Sequence, residues 1–234
     1  DSPSHPTRYM ISLSSIIYRE TKNLMHKTVQ PKILYFGTPV ILISTVNEDG
    51  SPNIAPMSSG WWLDQSCMLG MSDRSKTVSN LLRTRECVLN LPSVDMADVV
   101  DRLALTTGLN PVPSYKEKRG YRYEPNKFEI AGLTPVASNL VKAPRALECP
   151  VQMEAEIVAI RPFGPEEHHV VSIEAHIIQI HVEETLLVEN HPNYINPHKW
   201  QPLIMNFCEF FGLTAQVHPS RLAPIYRPPV EIGG

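Results

Sequence analysis

No stretch of this 234-residue sequence comes near the ~20 consecutive apolar residues that cross a bilayer as a helix, so no transmembrane segment is expected. A strong charge of one sign is also missing. Lys and Arg number 21 against 24 Asp and Glu, a formal −3, and nothing in that balance suggests nucleic acid or an anionic membrane as a partner. Cysteine is scarce: Cys67, Cys87, Cys149 and Cys208 lie far apart inside apolar runs, with no two-residue spacing of a zinc or redox motif. They read as buried, reduced packing residues, and no metal site is expected. No Asn-x-Ser/Thr acceptor occurs and no secretory pattern opens the chain, which makes the cytoplasm the expected compartment. Gly-x-Gly-x-x-Gly and a Walker loop are absent, and Pro56-x-Ser58-x-Gly60 lacks the first glycine of a nucleophile elbow. A hydrolase is therefore unsupported.

What is present is an ordinary globular composition, 42% apolar and 19% charged, long enough for one large domain or a domain with a cap. The 22 prolines end helices and strands, so many short elements and long ordered loops are expected. Residues 40–46 form a continuous β-branched run, the mark of a fully buried strand. Asn47-Glu-Asp-Gly50 is turn chemistry, and residues 51–62 return as its partner, interrupted by Pro52 and Pro56. Further strands are expected over 67–71 and 87–91, and as a long hairpin over 149–160 and 169–182. Helices are expected over 77–83, with Val78, Leu81 and Leu82 on one face, and over 96–105, capped by Ser93 or Asp95. An amphipathic helix is expected over 11–25. Residues 106–126 and 132–144 are loop-like, and a loop as long as the first is usually functional or mobile. Residues 183–202 are polar and turn-rich. Antiparallel strands with short helices define the fold class: mainly β, a barrel.

The chemistry concentrates between residues 39 and 91. Ser72-Asp-Arg-Ser-Lys-Thr77 opens a helix, where unpaired N–H groups and a partial positive charge favour a phosphate. Plain N-capping by Ser or Thr is the competing reading of that stretch. Just before it, Asn53-Ile-Ala-Pro-Met-Ser-Ser-Gly60 offers backbone N–H groups and hydroxyls to the polar edge of a flat ring; a loop that only turns a barrel corner is the competing reading. Together they suit a nucleotide-like cofactor with one phosphate, FMN.

PVILISTVNEDGSPNIAPMSSGWW, followed by RSKTVSNLLRTRECVLNLPS and AGLTPVASNLVKAPRALECPVQMEAEIV, resembles the flavin reductase-like proteins with an FMN-binding split β-barrel. The resemblance implies a six-stranded antiparallel Greek-key barrel, a homodimer, and FMN held near the subunit interface. It implies that Asn53, Ala55, Pro56, Met57, Ser58 and Ser59 line the isoalloxazine. Ser72, Arg74, Ser75, Lys76, Thr77 and Asn80 would surround the phosphate tail. Donors at the ring's polar edge raise its reduction potential, and NAD(P)H is the implied electron donor. The chain would divide into an N-terminal extension (1–35), an FMN domain (36–183, with an insertion at 92–127) and a C-terminal extension (184–234) packing on the barrel or on a dimer partner.

Two functions follow from that family: hydride transfer between NAD(P)H and flavin, or a flavin-dependent redox reaction on a bound organic substrate. A non-catalytic FMN electron carrier is the alternative, and a monooxygenase component is a candidate partner. The additions at 92–127 and after 184 either wall the flavin site or enlarge a dimer interface. His176 and His181 fall on opposite strand faces and so form no metal pair. His191 and His198 reach a substrate or pack a surface loop, and Arg119, Tyr121, Arg122 and Tyr123 bind an anion or stay solvated. At most one of Trp61 and Trp62 covers a ring edge.

Overall fold

The run from Val40 to Ile43 is buried on both of its faces. Ile41 and Ile43 join one apolar cluster with Leu69, Leu89 and Ile173, while Val40 and Leu42 join a second with Val100, Leu103 and Phe128. Strand periodicity of two explains this: alternate side chains enter opposite layers, so a central strand reads as uninterrupted hydrophobicity. The computed structural model describes residues 25–226. The chain divides into two units, residues 1–32 and 33–234. Of the helix expected over 11–25, residues 11–24 lie outside the described residues, and residues 25–32 are exposed without helix or strand.

The second unit is built on seven strands: β1 (Ile41–Val46), β2 (Pro52–Met57), β3 (Gly60–Leu63), β4 (Ser66–Ser72), β5 (Glu86–Leu91), β6 (Val151–Pro162) and β7 (Val170–Val182). Four short helices accompany them: α1 (Lys76–Thr84), α2 (Ala97–Ala104), α3 (Ser114–Glu117) and α4 (Lys127–Ala131). The strands form one antiparallel sheet in the order β2-β1-β5-β6-β7-β4-β3. The fold is mainly β with peripheral helices, as the patterning indicates, but the sheet carries seven strands where six were implied.

The difference arises at Ser58-Ser59. Residues 51–62, read from sequence as one strand, are two strands on opposite edges of the sheet, because the chain steps off β2 after Met57 and rejoins at Gly60 beside β4. The amide of Gly70 donates to the Ser59 carbonyl at 2.8 Å, fixing that step. A Cβ at Gly60 would stand 2.6 Å from Ile41 Cδ1, so the sheet curls until the start of β3 lies against β1.

The turn at Asn47 to Gly50 forms as its chemistry requires. Gly50 takes φ +85°, its amide donates to Asn47 O, and Ser51 N donates to the Asp49 carboxylate at 3.0 Å. Helix α1 starts at Ser75, whose hydroxyl accepts from Val78 N at 3.1 Å, and it stops at Arg85 in the left-handed region. Val78 and Leu81 are buried in the interior cluster, worth about 1.5–3 kcal/mol each. Leu82, expected beside them, is exposed instead. The expected cap of α2 is also absent: Ser93 bonds Asp95, and a 3-10 turn (Val94–Met96) leads into the helix.

The C-terminal extension packs on its own unit. Leu203 is buried beside Val40 and accepts a hydrogen bond from the Val40 amide, and Ile204–Asn206 pairs with Phe36–Pro39. Cys67, Cys87 and Cys149 are buried; burial pushes the Cys67 and Cys149 thiols up to about 12 and raises Cys87 as well. Cys208 departs from expectation, lying exposed in a left-handed turn at φ +68° between two short strands. No helix among the described residues is long and apolar enough to cross a membrane.

Candidate functional site

A polar cavity of about 380 Å³ lies between β2, the start of α1 and residues 103–127 of the insertion. Of the predicted residues, Ala55, Pro56, Met57, Ser58, Ser59, Ser72, Ser75, Lys76 and Thr77 line it. Three do not. Asn53 and Asn80 are buried behind the wall, both donating to Thr45 Oγ1, at 3.2 and 3.0 Å, while Asn80 also donates to Asn47 Oδ1 at 3.0 Å. That network ties β1, β2 and α1 together, and it leaves Asn80 Oδ1 without a partner among the described residues. Arg74 turns outward, where its guanidinium contacts the His169 ring and lies 5.8 Å from the centroid of Tyr115. Tyr115 in turn donates to Arg74 O at 3.1 Å, so α3 is fastened over the entrance to α1.

The helix start has the features of an anion site. Ser75 caps the Val78 amide, while the amides of Lys76 and Thr77 make no hydrogen bond among the described residues. Lys76 pairs with Glu48, and that hydrogen bond holds the Glu48 carboxyl below its ordinary range.

The opposite wall comes from the insertion, and most of it is missed by the sequence reading. Lys116, Arg119 and Lys127 line the cavity along with Lys76, and no Asp or Glu among the described residues does. Lys127 is the unusual one. It is 4% exposed, and among the described residues its ammonium has neither a hydrogen-bond acceptor nor an ion-pair partner. Burial, then repulsion from Lys116, pushes it down to about 8, against a smaller upward pull from Glu124. Lys116, which burial also lowers, donates to Thr107 Oγ1 at 3.3 Å and lies 5.6 Å from the Tyr121 ring centroid. At Gly108 the insertion touches the other wall: a Cβ there would stand 3.0 Å from both Asn53 Oδ1 and Lys76 Cγ.

Of the loop residues weighed for anion binding, Arg119 and Tyr121 line the cavity, while Arg122 pairs with Glu124 at 2.8 Å and Tyr123 is exposed. His191 stacks edge-on against Tyr194 at 5.9 Å beside a separate surface pocket. Trp61 and Trp62 do face opposite ways. Trp62 packs on the interior cluster, and Trp61, 58% exposed, lines an apolar groove that shares Tyr35, Ser59 and Gly70 with the cavity. Within that shared border, the Tyr35 and Ser59 hydroxyls hydrogen-bond at 3.1 Å.

These residues fit a monophosphate flavin. Free helix amides and the unpaired ammonium of a mostly buried lysine line one cavity with no opposing carboxylate among the described residues, and hydroxyls border its far end.

Comparison with known proteins agrees. The flavin reductase like domain matches residues 33–197. The uncharacterized protein YdfE of Bacillus subtilis (strain 168) is 43% identical over 192 residues, 82% of this chain and 91% of that protein. Among solved structures, the flavoredoxin of Desulfovibrio vulgaris (Miyazaki F) superposes with a TM-score of 0.69 at 20% identity, covering 86% of this chain and all of that one. Nitrilotriacetate monooxygenase component B from Bacillus cereus gives 0.67 at 17% identity, covering 84% and 100%. The match over most of the chain, on the sheet and cavity described, makes this protein a member of the flavin reductase-like family.

Proposed function

We propose that the protein is an FMN-dependent oxidoreductase, with the ring along β2 and the phosphate at the start of α1. The carrying observation is the cavity itself, walled by four cations and no carboxylate beside a helix N-terminus. Bound flavin would supply hydride chemistry, with NAD(P)H as the electron donor. The protein's own contribution is binding and shielding. Ser58, Ser59 and the backbone around Ala55 would donate to the ring's polar edge, where fixed donors favour the reduced form. Ser75 and Thr77 would hold the phosphate, and residues 103–127 would exclude water from one side.

That wall supports retention of the flavin and a small organic substrate of its own. Likeness to a flavoredoxin supports the second reading, an electron carrier, and likeness to a monooxygenase component supports delivery of electrons to a partner enzyme. The same proposal includes closure of the curled sheet into a split barrel at Ser58-Ser59, residues 36–183 as the FMN domain, and a cytoplasmic location. It also includes a homodimer seated on the apolar groove, where Leu34, Trp61 and Phe163 are exposed. Trp61→Glu is expected to shift light-scattering mass from two chains to one; an unchanged mass refutes that placement.

An absorbance spectrum after desalting, followed by an NAD(P)H oxidation assay, tests the function. A retained flavin spectrum with turnover supports the enzyme, and a retained flavin inert to NAD(P)H supports the carrier. No flavin on the protein, and none taken up on addition, refutes both.

A further inference from the structure

Resting on that FMN reading, we propose that the phosphate takes its counter-charge from Lys116 and Lys127 of the insertion rather than from Lys76 of the helix-start motif. Cofactor retention is then linked to a proton on Lys127.

A phosphate monoester carries close to two negative charges at neutral pH. Lys76 is already paired with Glu48, so together they bring no net charge to the cavity. Among the described residues Lys116 and Lys127 have no carboxylate partner; Glu124, the acid that acts on Lys127, is engaged by Arg122 and by the Asn126 amide. Two ammonium groups therefore line the same cavity as Lys76 and Thr77, with Arg119 as a further cation, enough to balance a dianion.

Burial sharpens the argument. Lysines are almost never fully buried unless paired, because an ammonium removed from water needs a compensating charge. Lys127 is held there by its neighbours. Phe128 and Ala131, on the same short helix, are buried against α2, and Gly132 at φ +72° closes the helix behind them. Since α4 cannot turn without exposing Phe128, the backbone of Lys127 is fixed at the cavity wall. A ligand phosphate would supply the partner that the chain does not.

The groups that act on this ammonium are few. On the cavity side stand Lys76, Lys116, Arg119, Tyr115 and Tyr121. α4 packs on α2 and β2. Tyr35 also lines the cavity, and β2 offers no titratable side chain. On α2, Asp98 and Arg102 pair at 2.6 Å, Arg102 donates to Ala131 O at the far end of α4, and Asp101 is exposed, as is Glu129 on α4 itself. Nothing among them substitutes for a bound anion. Without one, Lys127 loses its proton near pH 8; with phosphate beside it, the proton is retained to higher pH. FMN binding above pH 8 must therefore take up a proton, and affinity falls as pH rises.

The test is affinity, read by flavin fluorescence on the full chain, with FMN and riboflavin as paired probes. Lys127→Met and Lys116→Met are each expected to weaken FMN about 10- to 100-fold at pH 7, the scale of one charge-assisted contact. Riboflavin should change less than about twofold, and Lys76→Met should cost FMN only a few-fold. Lys127→Arg should restore FMN binding and abolish its decline above pH 8, because a guanidinium keeps its charge. In the unmutated protein, calorimetry at pH 8.5 in two buffers should show most of a proton taken up with FMN and none with riboflavin. Loss of FMN affinity in Lys76→Met but not in Lys127→Met, or FMN binding without proton uptake, overturns this proposal and leaves the FMN reading standing. If neither flavin binds the unmutated protein, both fall.

Discussion

Two charged side chains are buried among the described residues, and they are buried in opposite ways. Glu154 is fully covered, yet its carboxylate accepts from the amides of Asn139, Leu140 and Val141 at 2.6–3.2 Å and from the His181 ring at 2.7 Å. Burial alone would raise its pKa, but the three amides and the ring outweigh that and hold the carboxyl below its ordinary range. Lys127 is 4% exposed with no partner among the described residues, and burial drives it toward the neutral form. Glu154 organises a loop of its own chain. Lys127 is left for something the chain does not contain. A buried charge that is satisfied internally marks structure, whereas one held unsatisfied at a cavity marks a ligand.

The comparison can be broken most forcefully at Glu154. Glu154→Ala removes the shared acceptor of three loop amides and a half-buried imidazole and empties a fully buried position, and a loss of about 3 kcal/mol in urea unfolding is expected, roughly 1 per amide. A loss under about 1 kcal/mol would mean that the loop over residues 139–141 does not depend on this carboxylate. The pH profile adds a sign. Because the folded carboxyl is depressed, its stabilisation is present above the unfolded value and is lost as pH falls through the folded value, and Glu154→Gln should flatten that limb.

Lys127 should behave in the reverse sense. Its shift from 10.5 to about 8 means that the unfolded chain binds the proton more tightly, which costs the flavin-free protein about 3 kcal/mol at pH 7. Lys127→Met is therefore expected to raise flavin-free stability by up to about that amount while weakening FMN, a trade of stability for function. In the unmutated protein stability should climb between pH 8 and 10.5, and the variant should lack the climb. A destabilised variant would contradict the contrast. The smallest effect belongs to Glu48, whose pair with Lys76 is half exposed: Glu48→Gln should move stability by less than about 1 kcal/mol.

The same contrast explains what the sequence disclosed. The wall made by β2 and α1 was legible because its signals are local: a β-branched run, an Asn-to-Gly turn, proline interruptions and a capping serine lie within 53 residues of one another in the stretch 39–91. The step at Ser58-Ser59 was not, because nothing local distinguishes a bent strand from one whose halves join opposite sheet edges. Lys116 and Lys127 were not either. Lysines in a polar loop read as solvated, and only the packing of Phe128 and Ala131 against α2 turns Lys127 inward. The amides of Asn53 and Asn80 both donate to Thr45, a long-range pairing that the local sequence does not disclose.

A crystal structure of the protein with FMN tests the central claim most directly. The phosphate should lie between the Lys76 and Thr77 amides and the Lys127 ammonium, with the ring beside Ser58 and Ser59. Flavin found in the apolar groove against Trp61 and Phe163, with its phosphate turned to solvent, would contradict it.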